Sequence, residues 1–495
     1  MQRLLLPLLL LLGGCSLGPR SPEQGPAPLP VSYSETTGSI SQPTDMRWWT
    51  AYRDPTLDQV VATGLANNLD IKSALARIDA AQANITVAGA GGLPSINFDA
   101  SFLRSRETGE MKEVAGVVDT STYGASANWL IDIFGEVRSQ IRSAQATRNA
   151  AVEGAAIARL ALLSDMATAY VDARYYQEMM SIGARTVASR ERALALTTSM
   201  ANKGSASGLD VSRSVDSVDA IRGELPGYEA AFRRAVHRVS TLAGQPAATM
   251  LPLFTERSGQ PIPAFKPDAG IPADLVRNRP DIRKAEQEFV ASLADIGYAR
   301  TQLLPTITLS GSITSSFIRT DAKNGDLTKW SFGPSIRIPI FEGGKLRANV
   351  KIAVATAEQK QLAWRGVVLK AVEDVENALV AYNRDTKALR ALSARVGSAS
   401  RTVALSEAAF RAGASSRFEI IDAERQLFDA QTRLAQARRS LALDFIALNI
   451  AVGRGLPGPG SDTAVDRLQT ASIATNEAKP GNKVDNEAEP KTSRK

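Results

Sequence analysis

The 495-residue sequence is nearly empty of cysteine and histidine, with one of each. A single thiol, Cys15, allows no intrachain disulfide, so packing or assembly must hold the chain together. The lone His237, in AFRRAVHRVS, reads as a half-exposed helix residue with no second histidine or thiol to share a metal. Zinc sites and Ser/His or Cys/His catalysis are all but excluded, and no paired-carboxylate motif replaces them. The GGK of FEGGKLR lacks the spacing and the Ser/Thr of a phosphate loop, and GAGGLP is no dinucleotide fingerprint; both read as turns. A basic block is missing too: the net charge is +7, but Lys and Arg interleave with Asp and Glu, which suits solvated faces better than a nucleic-acid surface. No enzyme, cofactor, metal or nucleic-acid partner is expected. The longest leucine-rich run, Leu4 to Leu12, is too short for a membrane-crossing helix, which needs about 20 residues.

What is present starts with that run. One basic residue, Arg3, precedes it and the small residues Gly13 and Gly14 follow, which is the pattern of a secretory signal over residues 1–14. Leu12-Gly13-Gly14-Cys15 resembles the lipobox of bacterial lipoproteins. That resemblance implies lipid on the Cys15 sulfur, cleavage before it and acylation of the new N-terminus. Ser16 in the next position, rather than aspartate, implies retention in the outer membrane. Each buried CH₂ contributes about 0.8 kcal/mol, so two or three chains anchor firmly.

A tandem repeat organises the rest. GGLPSINFDASF (91–102) is echoed by QLLPTITLSGSI (302–313), and IDIFGEVRSQI (131–141) by IPIFEGGKLRANV (338–350). NKGSASGLDV (202–211) is echoed by RAGASSRFEI (411–420), and TLAGQP (241–246) by NIAVGRGLP (449–457). The offset stays between about 207 and 211, so the chain is a duplication. Each copy holds helical segments, a strand pair, a very long helix, a glycine turn and a returning helix. Residues 136–201 and 344–411 contain no proline, and each stretch as a helix is on the order of 100 Å long. Within the second stretch Val368, Val372, Val375, Leu379, Tyr382 and Leu389 recur at three- and four-residue spacings, a coiled-coil type of seam.

The expected boundaries are a signal peptide (1–14), a lipidated tether (15–55) and a first repeat (56–245) with a β-hairpin at 95–133 and a helical hairpin at 136–244. An equatorial linker (246–271) leads to a second repeat (272–455) with a β-hairpin at 306–340 and a helical hairpin at 344–453, and residues 456–495 read as a disordered tail.

The strands alternate. Ile96, Phe98, Ala100 and Phe102 oppose Ser95, Asn97, Asp99 and Ser101, and Trp330, Phe332, Ile336, Ile338 and Ile340 oppose Ser331, Gly333, Ser335 and Arg337. Such strands suit a soluble sandwich or a lipid-facing barrel. About ten residues each, in only two hairpins, favours a tilted membrane crossing. Four strands cannot close a barrel and an open edge is not tolerated in lipid, so two or three protomers must share one.

The lipobox, RWWTAYRDPTLDQVV (47–61) and GIPADLVRNRPDIRKAE (270–286) resemble the TolC-type outer-membrane efflux protein family, lipoprotein subgroup; Pro280-Asp281-Ile282-Arg283 with Glu286 is the most specific match. The resemblance covers about 400 residues. It implies an α+β membrane protein, a homotrimer with a shared 12-stranded barrel in the outer-membrane lipid and a periplasmic helical tunnel. An inner-membrane pump and a periplasmic adaptor are its implied partners. Phe410, Arg411, Gly413, Phe418 and Asp422 match the family's second tip motif, with Phe418 and Asp422 ringing a closed periplasmic gate. Three Asp422 carboxylates on one axis would repel, favouring bound cations or a raised pKa. Phe410 replaces a frequent tyrosine and removes its hydrogen bond. Arg213 aligns with Asp422, which suggests a charge pair across adjacent tips, while Gly204, Ser207, Gly413 and Ser416 shape turns onto which an adaptor docks. The alternatives are a periplasmic coiled-coil scaffold or adaptor lipoprotein and the duct of a type I protein secretion system.

Overall fold

Two helical hairpins of equal dimensions hang from one small sheet. The computed structural model describes residues 29–34, 47–107, 116–256, 258–264, 278–320 and 323–456. The signal peptide, Cys15, residues 265–277 with Pro272, and the tail beyond 456 lie outside the described residues.

After a short 3₁₀ turn (Trp48–Tyr52), α1 (Pro55–Asn67) opens with Asp54 accepting from the Thr56 N–H at 3.0 Å, a helix-start cap reinforced by Pro55 in the first turn. Asn68 likewise caps α2 (Leu69–Ala90). Then come β1 (Ser95–Glu107), β2 (Gly116–Ile131), α3 (Glu136–Asn202), α4 (Gly208–Leu242) and the short α5 (Leu251–Thr255). The second copy runs α6 (Pro280–Thr301), β3 (Thr306–Arg319), β4 (Asn324–Arg337), α7 (Lys345–Arg411) and α8 (Arg417–Ala451). Both long helices have 67 residues and both returning helices have 35. At 1.5 Å per residue these are about 100 Å and about 50 Å long.

The sheet is antiparallel in the order β1-β2-β3-β4, so the two repeats join at β2 and β3. Phe98, Ala125, Ile313 and Trp330 share one cross-strand row, and Asp99, Gly124, Thr314 and Lys329 share the next. Adjacent rows point to opposite faces, so one face is apolar and the other polar. The polar face is laced by hydroxyl contacts, Thr122 to Ser316 at 3.2 Å and Ser312 to Ser331 at 3.0 Å. The strands have 13 to 16 residues rather than about ten. Their extra length is polar at the hairpin end, where Arg104 pairs with Asp119 at 2.8 Å, so strand pairing continues past the apolar band.

The main core lies where both hairpins meet α1, α5 and the 3₁₀ turn. Trp48, Tyr52, Leu57, Leu163, Met166, Tyr170, Phe254 and Phe445 are buried together there. Inside it Arg174 is 1 % exposed, its guanidinium against the rings of Tyr170 and Phe254 at 5.1 and 5.2 Å, the two rings themselves 5.3 Å apart. It donates to the Tyr170 hydroxyl at 2.9 Å and to the Phe254 carbonyl at 3.2 Å, while Tyr170 donates to Asp54. A second cluster gathers Tyr33, Ile282, Val368, Val375, Leu379 and Leu448. The expected seam is there: Val368, Val375, Leu379 and Tyr382 are buried, with Val372 and Leu389 partly so. Beside Ile282, Arg283 reaches Glu153 of α3 at 2.7 Å, and Arg279 reaches Asp374 of α7 and the Ala451 carbonyl of α8. The stretch 279–283 thus stitches α6 to three other helices. Each returning helix ends on a left-handed glycine, Gly244 at φ 67° and Gly453 at φ 78°. A side chain at either would meet a backbone carbonyl, that of Asn67 at 2.6 Å or Asn278 at 2.8 Å.

Candidate functional site

The two hairpin turns lie side by side at the far end from the sheet. Each long helix closes in the same way: Gly204 (φ 76°) and Gly413 (φ 73°) follow the last turn, and the next N–H reaches back, Ser205 to the Met200 carbonyl at 2.8 Å and Ala414 to the Ala409 carbonyl at 2.9 Å. This is the glycine-dependent helix stop that satisfies the terminal carbonyls. A Cβ at Gly204, Gly208 or Gly413 would meet nothing within 4 Å, so the turns are open to an approaching partner.

The returning helices start differently. Ser207 and Asp210 form a reciprocal cap on α4: the Ser207 hydroxyl accepts from the Asp210 N–H at 3.2 Å, and Asp210 accepts from the Ser207 N–H at 3.0 Å. The Ser207 hydroxyl, then its N–H, hold the Asp210 carboxyl below the usual carboxylate range. Ser416 stands at the start of α8 without a side-chain cap.

Between the turns is a cleft of about 430 Å³, bounded by α3, α4 and α8. Arg213 and Asp422 both line it, but among the described residues they form no ion pair. Asp422 accepts from Arg425 at 2.8 Å and from Gln426 at 2.7 Å on its own helix, and these bonds hold its pKa low. Within one chain Arg425, one helical turn on, is the cation that Asp422 meets; the repulsion expected to raise its pKa involves three copies. Arg213 instead lies over the exposed Phe418 ring at 5.7 Å. Phe410, which has no hydroxyl, carries the Arg417 guanidinium over its ring at 5.5 Å. Arg411 stays on its own helix, near Glu407 at 3.5 Å. His237 is exposed on α4, away from the cleft.

Sequence reasoning did not single out Arg190, Arg417 or Arg425. Arg190 is 6 % exposed and donates to the Ser217 carbonyl at 2.6 Å, joining α3 to α4. Arg425 was open to detection as a cation three residues after Asp422. Nor did it find the docked stretch 29–34, where Tyr33 is buried and the Ser34 N–H donates to Glu376 of α7 at 2.8 Å. No helix among the described residues is long and apolar enough to cross a membrane.

The family model described as outer membrane efflux protein matches residues 60–245 and 271–454. Nodulation protein T of Rhizobium leguminosarum bv. trifolii is 41 % identical over 454 residues, covering 90 % of this chain and 96 % of that protein. The pyoverdine export outer membrane protein OpmQ of Pseudomonas aeruginosa is 30 % identical over 90 % of this chain and 95 % of its own length. Among solved structures, the outer-membrane channel OprN superposes with a TM-score of 0.78 at 27 % identity, over 89 % of this chain and 99 % of that one.

Proposed function

The chain belongs to the outer membrane efflux protein family, and on that premise we propose that it is the exit channel of a tripartite efflux system. It acts in the outer membrane and extends into the periplasm, conducting small molecules outward. The family is one of transport proteins, and energy for transport comes from the inner-membrane pump, reached through a periplasmic adaptor.

The observation that carries this reading is the two-faced sheet with unpaired outer strands. Phe98, Phe102, Trp330, Phe332 and Ile336 are between 62 % and 78 % exposed on its apolar face. In water such a face is a liability; in lipid it is the required surface. Unpaired edges are costly in hydrocarbon, where nothing else satisfies the backbone, so β4 of one copy pairs with β1 of the next. Three copies give a 12-stranded barrel. Ile352, Leu362, Leu369 and Leu405 along α7 are 58 % to 64 % exposed, which supports a neighbouring copy against that helix. Acyl chains on Cys15 add the anchor. Phe418 and Asp422 line the closed inner mouth, and the turns at Gly204, Ser207, Gly413 and Ser416 receive the adaptor.

The test is the native mass of the detergent-extracted protein, with planar-bilayer conductance and the acyl mass on the Cys15 peptide measured on the same preparation. A heat-sensitive trimer that conducts supports the channel. A monomer released without detergent overturns it.

A further inference from the structure

The cleft between the turns carries four guanidiniums against three carboxylates on its walls. Among the described residues Arg425 pairs with Asp422 at 2.8 Å, and Arg190 feels the charges of Glu424, Asp429 and Glu224, while Arg213 and Arg417 make no ion pair. Asp210, held by Ser207 and close enough to Arg213 to feel its charge, and Asp216 are the other acids on the walls. Arg190 is buried with its Nε–H lacking an acceptor, and the Arg417 Nε–H is likewise buried and unmatched. The first turns of α4 and α8 contribute Asp210, Arg417 and Phe418, with Arg213 one turn further along α4, so two long helices direct their positive ends here. A volume of about 430 Å³ admits a side chain or a small anion, not a whole helix.

We propose that this cleft is a carboxylate-binding site, filled in the assembled channel by an acidic side chain from the tip of the periplasmic adaptor. The occupant rests on the channel reading above. Guanidinium forks match a carboxylate with two parallel hydrogen bonds, and the open glycine turns let a partner's backbone come close enough to deliver one. Phe418 and Phe410 hold Arg213 and Arg417 by their faces, leaving the N–H edges of both for a ligand.

The full chain in detergent is titrated with a labelled, end-capped, alanine-based helical peptide carrying glutamates at i and i+4. A glutamine version of the peptide and sodium glutarate are the comparators. The glutamate peptide binds, the glutamine peptide binds about tenfold or more weakly, and R213Q/R417Q loses about tenfold or more of the glutamate-peptide affinity. Binding weakens as salt rises from about 50 to about 500 mM. Neither substituted residue is part of a buried core, and R417K restores part of the affinity where R417Q does not. Equal binding of the two peptides, or an unchanged R213Q/R417Q variant, overturns the site. Displacement of the peptide by glutarate at equal affinity overturns the adaptor as occupant and leaves a free-anion site. A trimeric, conducting protein indifferent to the glutamate peptide ends this inference and leaves the channel standing; a monomeric, non-conducting one ends the channel reading.

Discussion

The two hairpins are copies in length but not in surroundings. On α3, twenty residues are buried; on α7, of the same 67-residue length, eight are. α3 is wrapped by α2, α4, α6 and α8, whereas α7 leaves a run of large apolar side chains in the open. Their returning helices differ in charge order as well. At the 209-residue offset Arg213 and Asp216 become Asp422 and Arg425, the same three-residue pair reversed. Duplication supplied two equal rods, and divergence buried one of them among other helices of the chain and left the other with an open apolar face.

The largest test of that division is the buried cation of the first hairpin. Arg174 has no counterpart in the second, where the equivalent position is Asn383, and Tyr170 corresponds to Leu379. Arg174→Ala strips the Tyr170 hydroxyl of its donor, leaves the Phe254 carbonyl with Gln177 alone, and removes the buried guanidinium that packs on both rings. Losses of this kind cost about 3–5 kcal/mol. Asn383→Ala, at a half-buried position, should cost under about 1 kcal/mol. Thermal unfolding in detergent compares them directly, and equal shifts would show that the core is not biased towards the first copy.

A smaller effect separates the hairpins by pH. Burial, and then the neighbouring Asp385, raise the Asp444 carboxyl on α8 to about 7. The equivalent first-copy residues are Ala235 and Tyr176, so this acid pair is peculiar to the second hairpin. Tyr52 and Tyr382 are the other titratable groups around it, and Asp444 helps raise the Tyr52 pKa after burial and Tyr382. The folded chain keeps the proton up to about pH 7, whereas an unfolded aspartate releases it near about 4. Its contribution to stability is therefore fully present below about pH 4 and is lost as pH rises towards 7. Asp444→Asn should stabilise by about 1–2 kcal/mol at pH 8 after allowing for solvent screening, and by less at pH 5. A pH-independent difference between the variant and the parent would remove the pair from the account.

How much of this was legible depended on distance along the chain. The 209-residue offset, the alternating strands and the seam from Val368 to Tyr382 are local patterns, and the helices and sheet follow them. The pairing of β2 with β3 was hidden, because hairpins reveal only their own partners. Arg174 looked like any helix arginine, since nothing nearby in sequence announces that Phe254 will close over it. Tyr33 and Ser34 meet α7 across more than 300 residues, beyond the reach of any periodicity. At the tips Arg213 and Asp422 line one cleft, and within the chain their side chains meet Phe418 and Arg425, partners that the repeat offset alone does not name.

The smallest predicted difference lies in the turns themselves, where the two copies are most alike. Both close on a left-handed glycine, and both begin the returning helix after a serine. Only Ser207 caps, because aspartate three residues on returns a bond to its N–H; in the second copy that place holds Glu419 and Ser416 makes no side-chain bond to the helix. Ser207→Ala should cost about 1 kcal/mol of local stability, and Ser416→Ala a few tenths at most. Amide hydrogen exchange over the first turn of each helix reads the two losses separately, without requiring global unfolding. Faster exchange around Asp210 in the first variant, with little change around Glu419 in the second, makes the first turn the stiffer lip of the cleft. Ser207→Ala also removes the principal bond holding the Asp210 carboxyl low, so its titration moves back up towards the ordinary value. If both variants loosen their turns equally, the asymmetry of the caps has no consequence, and the difference between the tips reduces to the reversed pairs of Arg213 with Asp216 and Asp422 with Arg425.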